Sequence, residues 1–248
     1  DDPPSLTACT SAPNDCSLRS AISIANSDGK PTTISFAGSY LIRLSHPLPS
    51  LSEDNTVIKA GSSQEVHIDG QNIRSSVLRI TGAHVHVEGL RIYGAGAGYP
   101  NIAIDEGAHD VTITQNVIGD DDAPHGNCGG NNFSSSGIFV SGHQNIEHET
   151  RAWIYGNLIE CNQGDGIWVL SGNVIIGKNQ QGANDSSQRN VIRENHGYGI
   201  NLGQTTGNTV CDNEIVTNDG RSLYMTRFQD NNIMYNDIVE ISSAQSMG

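Results

Sequence analysis

The sequence has few basic residues and no long apolar segment. Its 248 residues include 13 Lys or Arg, of which only three are Lys, against 27 Asp or Glu, so the formal net charge is −14. Such a surface repels phosphate backbones and anionic lipid headgroups, which argues against a nucleic-acid-binding protein. No apolar run approaches the roughly 18 residues that a membrane span requires. No signal-peptide pattern is present, and we interpret Asp1 as a mature or trimmed start.

Aromatic residues are also scarce, at 13 Phe, Tyr and Trp, whereas Gly, Asn and Ile are abundant at 28, 24 and 26 residues. Gly and Asn favour tight turns because both tolerate left-handed backbone, while Ile and other β-branched residues favour strands. This composition predicts many short strands joined by tight turns, rather than a helical protein.

Two short patterns recur along the chain. A segment of the type Gly-Ile-x-Val follows a turn rich in Gly, Asn and Asp, and its copies lie at residues 137–140, 166–169, 199–202 and 222–225. Before each turn stands an Asn-x-Ile segment, and its five copies begin at Asn116, Asn157, Asn190, Asn213 and Asn236. A pattern that keeps its phase over five copies predicts a repeat protein.

Earlier segments fit the same repeat more loosely. Residues 77–80 and 101–104 share a register, with residues 85–87 and 90–92 as further strands between them. Three short alternating strands in each repeat of about 24 residues are typical of a parallel β-helix, in which Ile, Val and Leu stack inward from coil to coil. The equivalent Asn residues would form a ladder at one corner, because Asn tolerates left-handed backbone and bonds neighbouring backbone groups. A β-sandwich is the alternative, but it does not require the same Asn at one phase of five repeats.

The N-terminal region differs from the repeats. Residues 15–26 have helical spacing, with Leu18, Ile22 and Ala25 on one face and Asp15 or Ser17 as a helix N-cap. Because the end of a solenoid exposes apolar core and open strand edges, we expect this helix to cap it. We therefore predict a lead-in and capping helix over residues 1–30 and a single parallel β-helix over residues 31–248.

The segment Cys-Ser-Leu-Arg-Ser-Ala-Ile at residues 16–22 resembles the Cys-Ser-Leu-Arg-Glu-Ala leader of secreted bacterial β-helix proteins, with Ser20 in place of the usual Glu. Segments such as Asn-Val-Ile-Arg-Glu-Asn at residues 190–195 are similar to the repeat units of that family. The resemblance implies an all-β fold, the right-handed parallel β-helix of the pectin-lyase-like superfamily, with an N-terminal capping α-helix. It does not imply one function, because this fold hosts lyases, hydrolases, epimerases, binding proteins and adhesins.

The five cysteines suggest two disulfide bonds. Cys9 and Cys16 lie in one polar loop, and Cys128 and Cys161 lie in turns one repeat apart, which leaves Cys211 free. Pairs in turns suit an oxidising compartment, so we expect a secreted or cell-surface protein. Reduced thiols and a metal site are the alternatives, although no Cys-x-x-Cys spacing supports a metal.

By the same resemblance, the ligand face is the sheet formed by the Gly-Ile-x-Val strands. If the Ile side chains point inward, alternation predicts a row of outward side chains, and these are Arg79, Ala103, Phe139, Trp168, Asn201 and Tyr224. Exposed aromatic rings stack on sugar rings, so this row predicts a polysaccharide-binding surface. The alternative is that long loops fold over the rings and bury them as a satellite core. Asp105 and Asp165 flank the sheet, where Asp165 would either bond sugar hydroxyls or stabilise its turn.

Two possible metal sites stand out. The longest turn carries Asp120, Asp121 and Asp122, which suggest a hard cation such as Ca²⁺, although a solvated charge run is the alternative. His84 and His86 alternate on one predicted strand and would form a two-His metal site, but no third ligand is apparent.

Signatures of catalysis are largely missing. The polygalacturonase-like hydrolases of this fold carry Asn-Thr-Asp, Asp-Asp and Gly-His-Gly on consecutive coils, and this sequence lacks that set. The outward row also supplies no pair of facing carboxylates, which glycoside hydrolysis requires. Arg79, Tyr224 or Arg227 would have to act as a lyase base without a recognisable signature. We therefore expect a secreted β-helix protein that binds a polysaccharide. The alternatives are a polysaccharide lyase or glycoside hydrolase, and a structural or adhesive surface module whose C-terminal coil docks a further domain or subunit.

Overall fold

In a computed structural model, the chain folds as an all-β solenoid of about seven turns with one short helix near its N-terminus. The structure describes residues 9, 16–119, 128, 134–142, 150–178, 188–203, 205–226 and 230–239. The parallel β-helix with three short strands per coil that the repeats predict is confirmed.

Helix α1 (Leu18–Asp28) begins at the N-cap Ser17, whose side chain accepts a hydrogen bond from the backbone N–H of Ser20 at 3.1 Å. It ends at Gly29, where φ is 62°. Glycine adopts this left-handed conformation without steric cost. The helix overlaps the predicted segment 15–26 and extends two residues beyond it, and its N-cap is Ser17 rather than Asp15.

The helix covers one end of the core. Leu18, Ile22 and Ala25 are buried in the same apolar cluster as Ile34 and Ile58 of the first coils. The polar face is fixed to residues 46–52, on the third side of the first coil, by hydrogen bonds from side chains to backbone. Asn26 donates to the Ser50 carbonyl at 2.6 Å and accepts from the Ser52 N–H at 3.0 Å, while Arg19 donates to the Pro47 carbonyl at 2.6 Å. The predicted capping role of this segment agrees with these contacts.

Three parallel sheets form the faces of the solenoid. Sheet 1 consists, in spatial order, of β1 (Thr32–Ser35), β3 (Thr56–Lys59), β6 (His86–Glu88), β9 (Val111–Thr114), β12 (Ala152–Tyr155), β15 (Val174–Ile176), β18 (Thr209–Cys211) and β21 (Asn232–Met234). Sheet 2 consists of β2 (Tyr40–Arg43), β4 (Val66–Ile73), β7 (Leu90–Ala95), β10 (Val117–Gly119), β13 (Leu158–Glu160), β16 (Val191–Arg193), β19 (Glu214–Val216) and β22 (Asp237–Val239).

Sheet 3 contains the Gly-Ile-x-Val segments and consists of β5 (Leu78–Ile80), β8 (Ile102–Ile104), β11 (Ser136–Val140), β14 (Asp165–Val169), β17 (Ile200–Leu202) and β20 (Leu223–Met225). Its inward isoleucines stack directly on one another, because Ile102 pairs with Ile138, Ile138 with Ile167 and Ile167 with Ile200 in register, and all four are fully buried. This stack fixes the register, since a slip of one residue would turn every Ile toward solvent.

The predicted Asn ladder connects sheets 1 and 2. The side-chain amides of Asn116, Asn157, Asn190 and Asn213 each donate to the amide oxygen of the next ladder residue, at 3.1, 3.0, 2.8 and 2.9 Å, and the ladder ends at Asn236. The same amides also bond backbone groups; for example, Asn157 donates to the Ile113 carbonyl at 2.9 Å. The ladder therefore supplies hydrogen bonds to buried backbone groups at a corner where the strands of the two sheets do not pair.

One reason given for Asn at this corner is wrong. The ladder residues do not themselves adopt left-handed backbone. The residue before the Asn does so at four of the five positions, namely at Gln115, Gly156, Asp212 and Tyr235, where φ lies between 53° and 68°. The chain therefore turns one residue earlier, and the Asn contributes its side-chain hydrogen bonds rather than its backbone tolerance.

A second ladder that the sequence analysis missed connects sheets 2 and 3. Asn162 donates to Asn195 at 2.8 Å, and Asn195 donates to Asn218 at 2.8 Å. Asn101 joins the ladder by donating to Asn162 at 2.9 Å. The positive-φ residue again comes first, at Cys161, Glu194 and Thr217. This ladder holds the turn that leads into the strands of sheet 3.

Candidate functional site

The strands of sheet 3 bring all six predicted outward residues into one row. Arg79 pairs with Ala103, Ala103 with Phe139, Phe139 with Trp168, Trp168 with Asn201, and Asn201 with Tyr224. We call this set of side chains the outward row. Its existence follows from the stacked isoleucines, because the strand residue next to an inward Ile must face outward.

Phe139 and Trp168 form the apolar centre of the outward row. Both rings are half-buried, and their centroids lie 4.9 Å apart with an interplanar angle of 52°. Ile167 and Val169 on either side of Trp168 are completely buried, so the predicted alternation in β14 is confirmed. Neither ring belongs to the main apolar core, and each therefore retains surface that a ligand can cover.

Asp165 and Asn201 form a polar pair beside this aromatic centre. Asn201 donates from Nδ2 to Asp165 Oδ2 at 2.8 Å, and the Tyr198 backbone N–H donates to Asp165 Oδ1 at 2.7 Å. Burial raises the pKa of the Asp165 carboxyl, and the hydrogen bonds from Asn201 and Tyr198 oppose this shift. Asp165 thus fixes the turn before β17 and also orients the Asn201 amide of the outward row.

Tyr224 stacks on Tyr198, a residue that the sequence analysis missed. The two rings are nearly parallel, with centroids 4.5 Å apart and an interplanar angle of 8°. Tyr198 is two residues before the inward Ile200, so strict alternation would have turned it inward as well. It lies in the turn before β17, where alternation does not apply, and its ring packs beside the outward row instead.

Arg79 and Asp105 form an ion pair at the N-terminal end of the outward row. Both Nε and a terminal guanidinium nitrogen of Arg79 lie 2.6 Å from Asp105 Oδ2. The hydrogen bond and the charge of Asp105 raise the pKa of Arg79, which keeps the guanidinium positively charged. Ala103, between Arg79 and Phe139, is small and buried, so the row is flat at this position.

Both predicted disulfide bonds are present. Cys9 is bonded to Cys16 and Cys128 to Cys161, while Cys211 is free and buried. The Cys128–Cys161 bond lies against Glu194, whose carboxylate oxygen is 3.9 Å from the Cys161 sulfur. Burial raises the pKa of the Cys211 thiol, so it is a poor nucleophile. The predicted Ca²⁺ ligands Asp120, Asp121 and Asp122 and the candidate base Arg227 lie outside the described residues.

The two-His site predicted at His84 and His86 does not form as expected. His84 is not in a strand: it has a φ of 54° and lies at the corner before β6, so the alternation rule does not relate it to His86. His86 instead lies 3.2 Å from the Glu88 carboxylate, while His84 lies beside His109 and Asp110 of the next coil.

The chain has no match to a family model, to a curated protein or to a solved structure. Within the part of the chain that the structure describes, no helix is long and apolar enough to cross a membrane.

Proposed function

We propose that this protein is an extracellular β-helix protein that binds a polysaccharide along the outward row of sheet 3. The observation that carries the proposal is the pair of half-buried rings at Phe139 and Trp168, which lie side by side on a regular parallel sheet. Aromatic rings that keep an exposed face bind sugars by covering their apolar C–H surface. Two disulfide bonds support an extracellular location, because such bonds persist in oxidising compartments.

The shape of the outward row suits an extended chain. Its six residues are spaced by the distance between parallel strands, so the row is about 24 Å long. Its centre is apolar, whereas hydrogen-bonding groups lie toward both ends, at Arg79 with Asp105 and at Asn201 with Asp165. A polysaccharide offers the complementary combination of apolar ring faces and hydroxyl groups at regular intervals.

The charges of the outward row favour a neutral polysaccharide. The guanidinium of Arg79 is already paired with Asp105. The Asp165 carboxyl accepts hydrogen bonds from Asn201 and the Tyr198 N–H and forms no ion pair among the residues that the structure describes. The formal charge of −14 adds long-range repulsion of polyanions. A uronate polymer would thus find no unpaired cation among the six residues of the row.

The contacts of the outward row give little support to the enzymatic alternatives. Asp105 follows β8 and Asp165 begins β14, so two coil spacings separate the two residues. Along the strand direction they are about five residues apart, because Asp165 lies opposite Ser136 whereas Asp105 lies one residue beyond Ile104, the partner of Val140. That is about 19 Å between Cα atoms, whereas glycoside hydrolysis needs carboxyls about 5–9.5 Å apart. Arg79 is a poor candidate for a lyase base, because Asp105 raises its pKa.

The proposal is tested by presenting the purified, disulfide-bonded protein to an array of neutral and acidic polysaccharides with and without Ca²⁺. Hits are then measured by calorimetry, and their products are analysed after long incubation. We expect binding of a neutral polysaccharide with no cleavage. Unsaturated products would instead identify a lyase, and new reducing ends a hydrolase.

The binding surface is tested with the double variant Phe139→Ala/Trp168→Ala. Tyr235→Ala is the matched control, because Tyr235 is 78% exposed and lies in the turn before β22, outside sheet 3. We expect the double variant to lose binding and the control to keep it. Absence of binding to every polysaccharide would contradict the proposal and favour a structural or adhesive module. Equal binding by the double variant would contradict the assignment of binding to the outward row.

A further inference from the structure

A cluster of two histidines and an aspartate lies at the corner of the solenoid that precedes sheet 1. His84 precedes β6 and Asp110 precedes β9, and the pairing of His86 with Thr112 places them on neighbouring coils opposite each other. His109 adjoins Asp110 in sequence. A backbone hydrogen bond joins the two coils at this corner, because the His84 N–H donates to the His109 carbonyl at 2.8 Å. Both His84 and Asp110 have left-handed backbone, with φ of 54° and 59°.

The side chains of the three residues converge. One potential ligand atom from each lies within 4.8 Å of those of the other two. Asp110 Oδ2 is 2.9 Å from His109 Nδ1 and 3.8 Å from His84 Nδ1, and the two imidazole centroids are 5.3 Å apart at an angle of 82°. The rings therefore approach edge to face, with nitrogen atoms of both directed toward one carboxylate.

We infer that His84, His109 and Asp110 form a binding site for a divalent transition-metal ion such as Zn²⁺. Imidazole nitrogen and carboxylate oxygen are ligands that Zn²⁺ prefers, and three protein ligands plus water complete a tetrahedral site. With metal–ligand distances of about 2.0–2.1 Å, tetrahedral ligand atoms lie roughly 3.3 Å apart. The Asp110–His109 and Asp110–His84 separations, 2.9 and 3.8 Å, lie on either side of that value, and all three ligand atoms lie within 4.8 Å of one another, so side-chain rotations bring them to one ion.

Arg151 is the main electrostatic obstacle to this site. Its guanidinium lies 2.8 Å from Asp110 Oδ2 and comes from the residue before β12 on the following coil. The Arg151 side chain is 49% exposed, whereas that of Asp110 is 14% exposed, so solvent screens the guanidinium more than the carboxylate. An ion pair with an exposed cationic partner is weak, so a metal ion can displace it. The same contact orients the carboxylate before metal binds. We therefore expect the variant Arg151→Gln to bind metal as tightly as the wild type, or up to about fivefold more tightly.

The ligand set also separates this site from a calcium site. Ca²⁺ takes six to eight oxygen ligands, whereas two of the three ligands here are imidazole nitrogens. The cluster lies at the corner before sheet 1 and shares no residue with the outward row. Metal binding at this corner is thus independent of the proposed polysaccharide binding.

The inference is tested by calorimetric titration of protein without a polyhistidine tag with ZnCl₂, and with CaCl₂ for comparison. We expect a Zn²⁺-binding event that is lost in His84→Gln/His109→Gln and weakened at least about tenfold in either single variant. The matched control is His196→Gln, because His196 also contacts an aspartate, with Nδ1 2.6 Å from Asp219 Oδ2, but belongs to no such three-residue cluster among the described residues.

Electron paramagnetic resonance of bound Cu²⁺ gives a second measurement. We expect coupling to two imidazole nitrogens in the wild type and in His196→Gln, and to one in His109→Gln. Thermal melts without metal should be the same for all variants, because the substituted side chains are exposed or half-buried. The inference is overturned if the wild type binds no Zn²⁺, or if the double variant binds it as the wild type does.

Discussion

Replacing Trp168 by alanine distinguishes a binding surface from a satellite core. The ring is half-buried and contacts Phe139 at a centroid distance of 4.9 Å. Its loss removes an aromatic pair worth about 0.5–1.5 kcal/mol beyond area burial, so we expect the free energy of unfolding to fall by about 1–2 kcal/mol. The adjacent Ile167 is fully buried, and Ile167→Ala should cost about 2–5 kcal/mol.

Trp168→Ala should also weaken ligand binding. An aromatic anchor at the centre of a binding surface commonly contributes about 1–3 kcal/mol, which corresponds to a roughly five- to 150-fold increase in Kd. The control is Trp153→Ala, because Trp153 is the other of the two tryptophans and lies on sheet 1, where it pairs with Thr112 and Ile175. This variant should bind the polysaccharide as the wild type does.

Calorimetry and melting curves measure the two quantities separately, and fluorescence adds a direct reporter. In Trp153→Phe the only remaining indole is that of Trp168, so its emission should change when a ligand covers the ring. A loss of stability in Trp168→Ala as large as that in Ile167→Ala, together with unchanged binding, would refute the assignment and indicate that the ring is packed under a loop.

Three further predictions concern the supports of the site. Asn157→Ala leaves buried backbone groups without partners, so we expect urea denaturation to show a free energy of unfolding lower by about 2–4 kcal/mol. Asn236→Ala, at the half-buried end of the ladder, should lower it clearly less. Peptide mapping without reduction should recover Cys128 joined to Cys161. Replacing both by Ser opens a loop with a sequence separation of 33 and should lower the free energy of unfolding by about 3–4 kcal/mol. Burial lowers the pKa of His86 from its ordinary 6.5, against the opposing effect of Glu88, so the neutral ring contributes its full stability above pH 6.5 and loses it as the pH falls through the lowered pKa. Urea denaturation at a series of pH values should show that His86→Gln loses less stability than the wild type over that range; an equal loss would contradict this assignment.

The outward row was predictable because two constraints act on the same strand. Inward isoleucines at a constant phase of the repeat set the register, and alternation then fixes the direction of the next side chain. Phe139 and Trp168 therefore lie where the sequence indicates. The same reasoning fails in turns, where neither constraint applies, and this is why Tyr198 was missed and His84 was assigned to the wrong neighbour.

The second Asn ladder was missed although its signal is present in the sequence. Asn162, Asn195 and Asn218 are separated by 33 and 23 residues, the same intervals that separate Asn157, Asn190 and Asn213. Equal intervals at two positions of a repeat indicate two stacked corners rather than one. The intervals predict which amides stack, whereas the backbone groups that the amides also bond, such as the Ile159 carbonyl for Asn195, follow only from the three-dimensional contacts between coils.

The contrast between inward and outward positions explains why the aromatic centre points to a function. At the inward position of sheet 3 the coils repeat one residue type, with Ile102, Ile138, Ile167 and Ile200 stacked in register, because the core accepts little variation in volume. At the outward position the same four coils carry four different residues, Ala103, Phe139, Trp168 and Asn201, since the fold places few demands on side chains that face solvent. Two large adjacent rings are therefore not required by the solenoid, and each leaves apolar surface in water at a cost of about 25 cal/mol per Å². A ligand that covers those faces recovers this free energy, and that is the physical basis for assigning binding to the outward row.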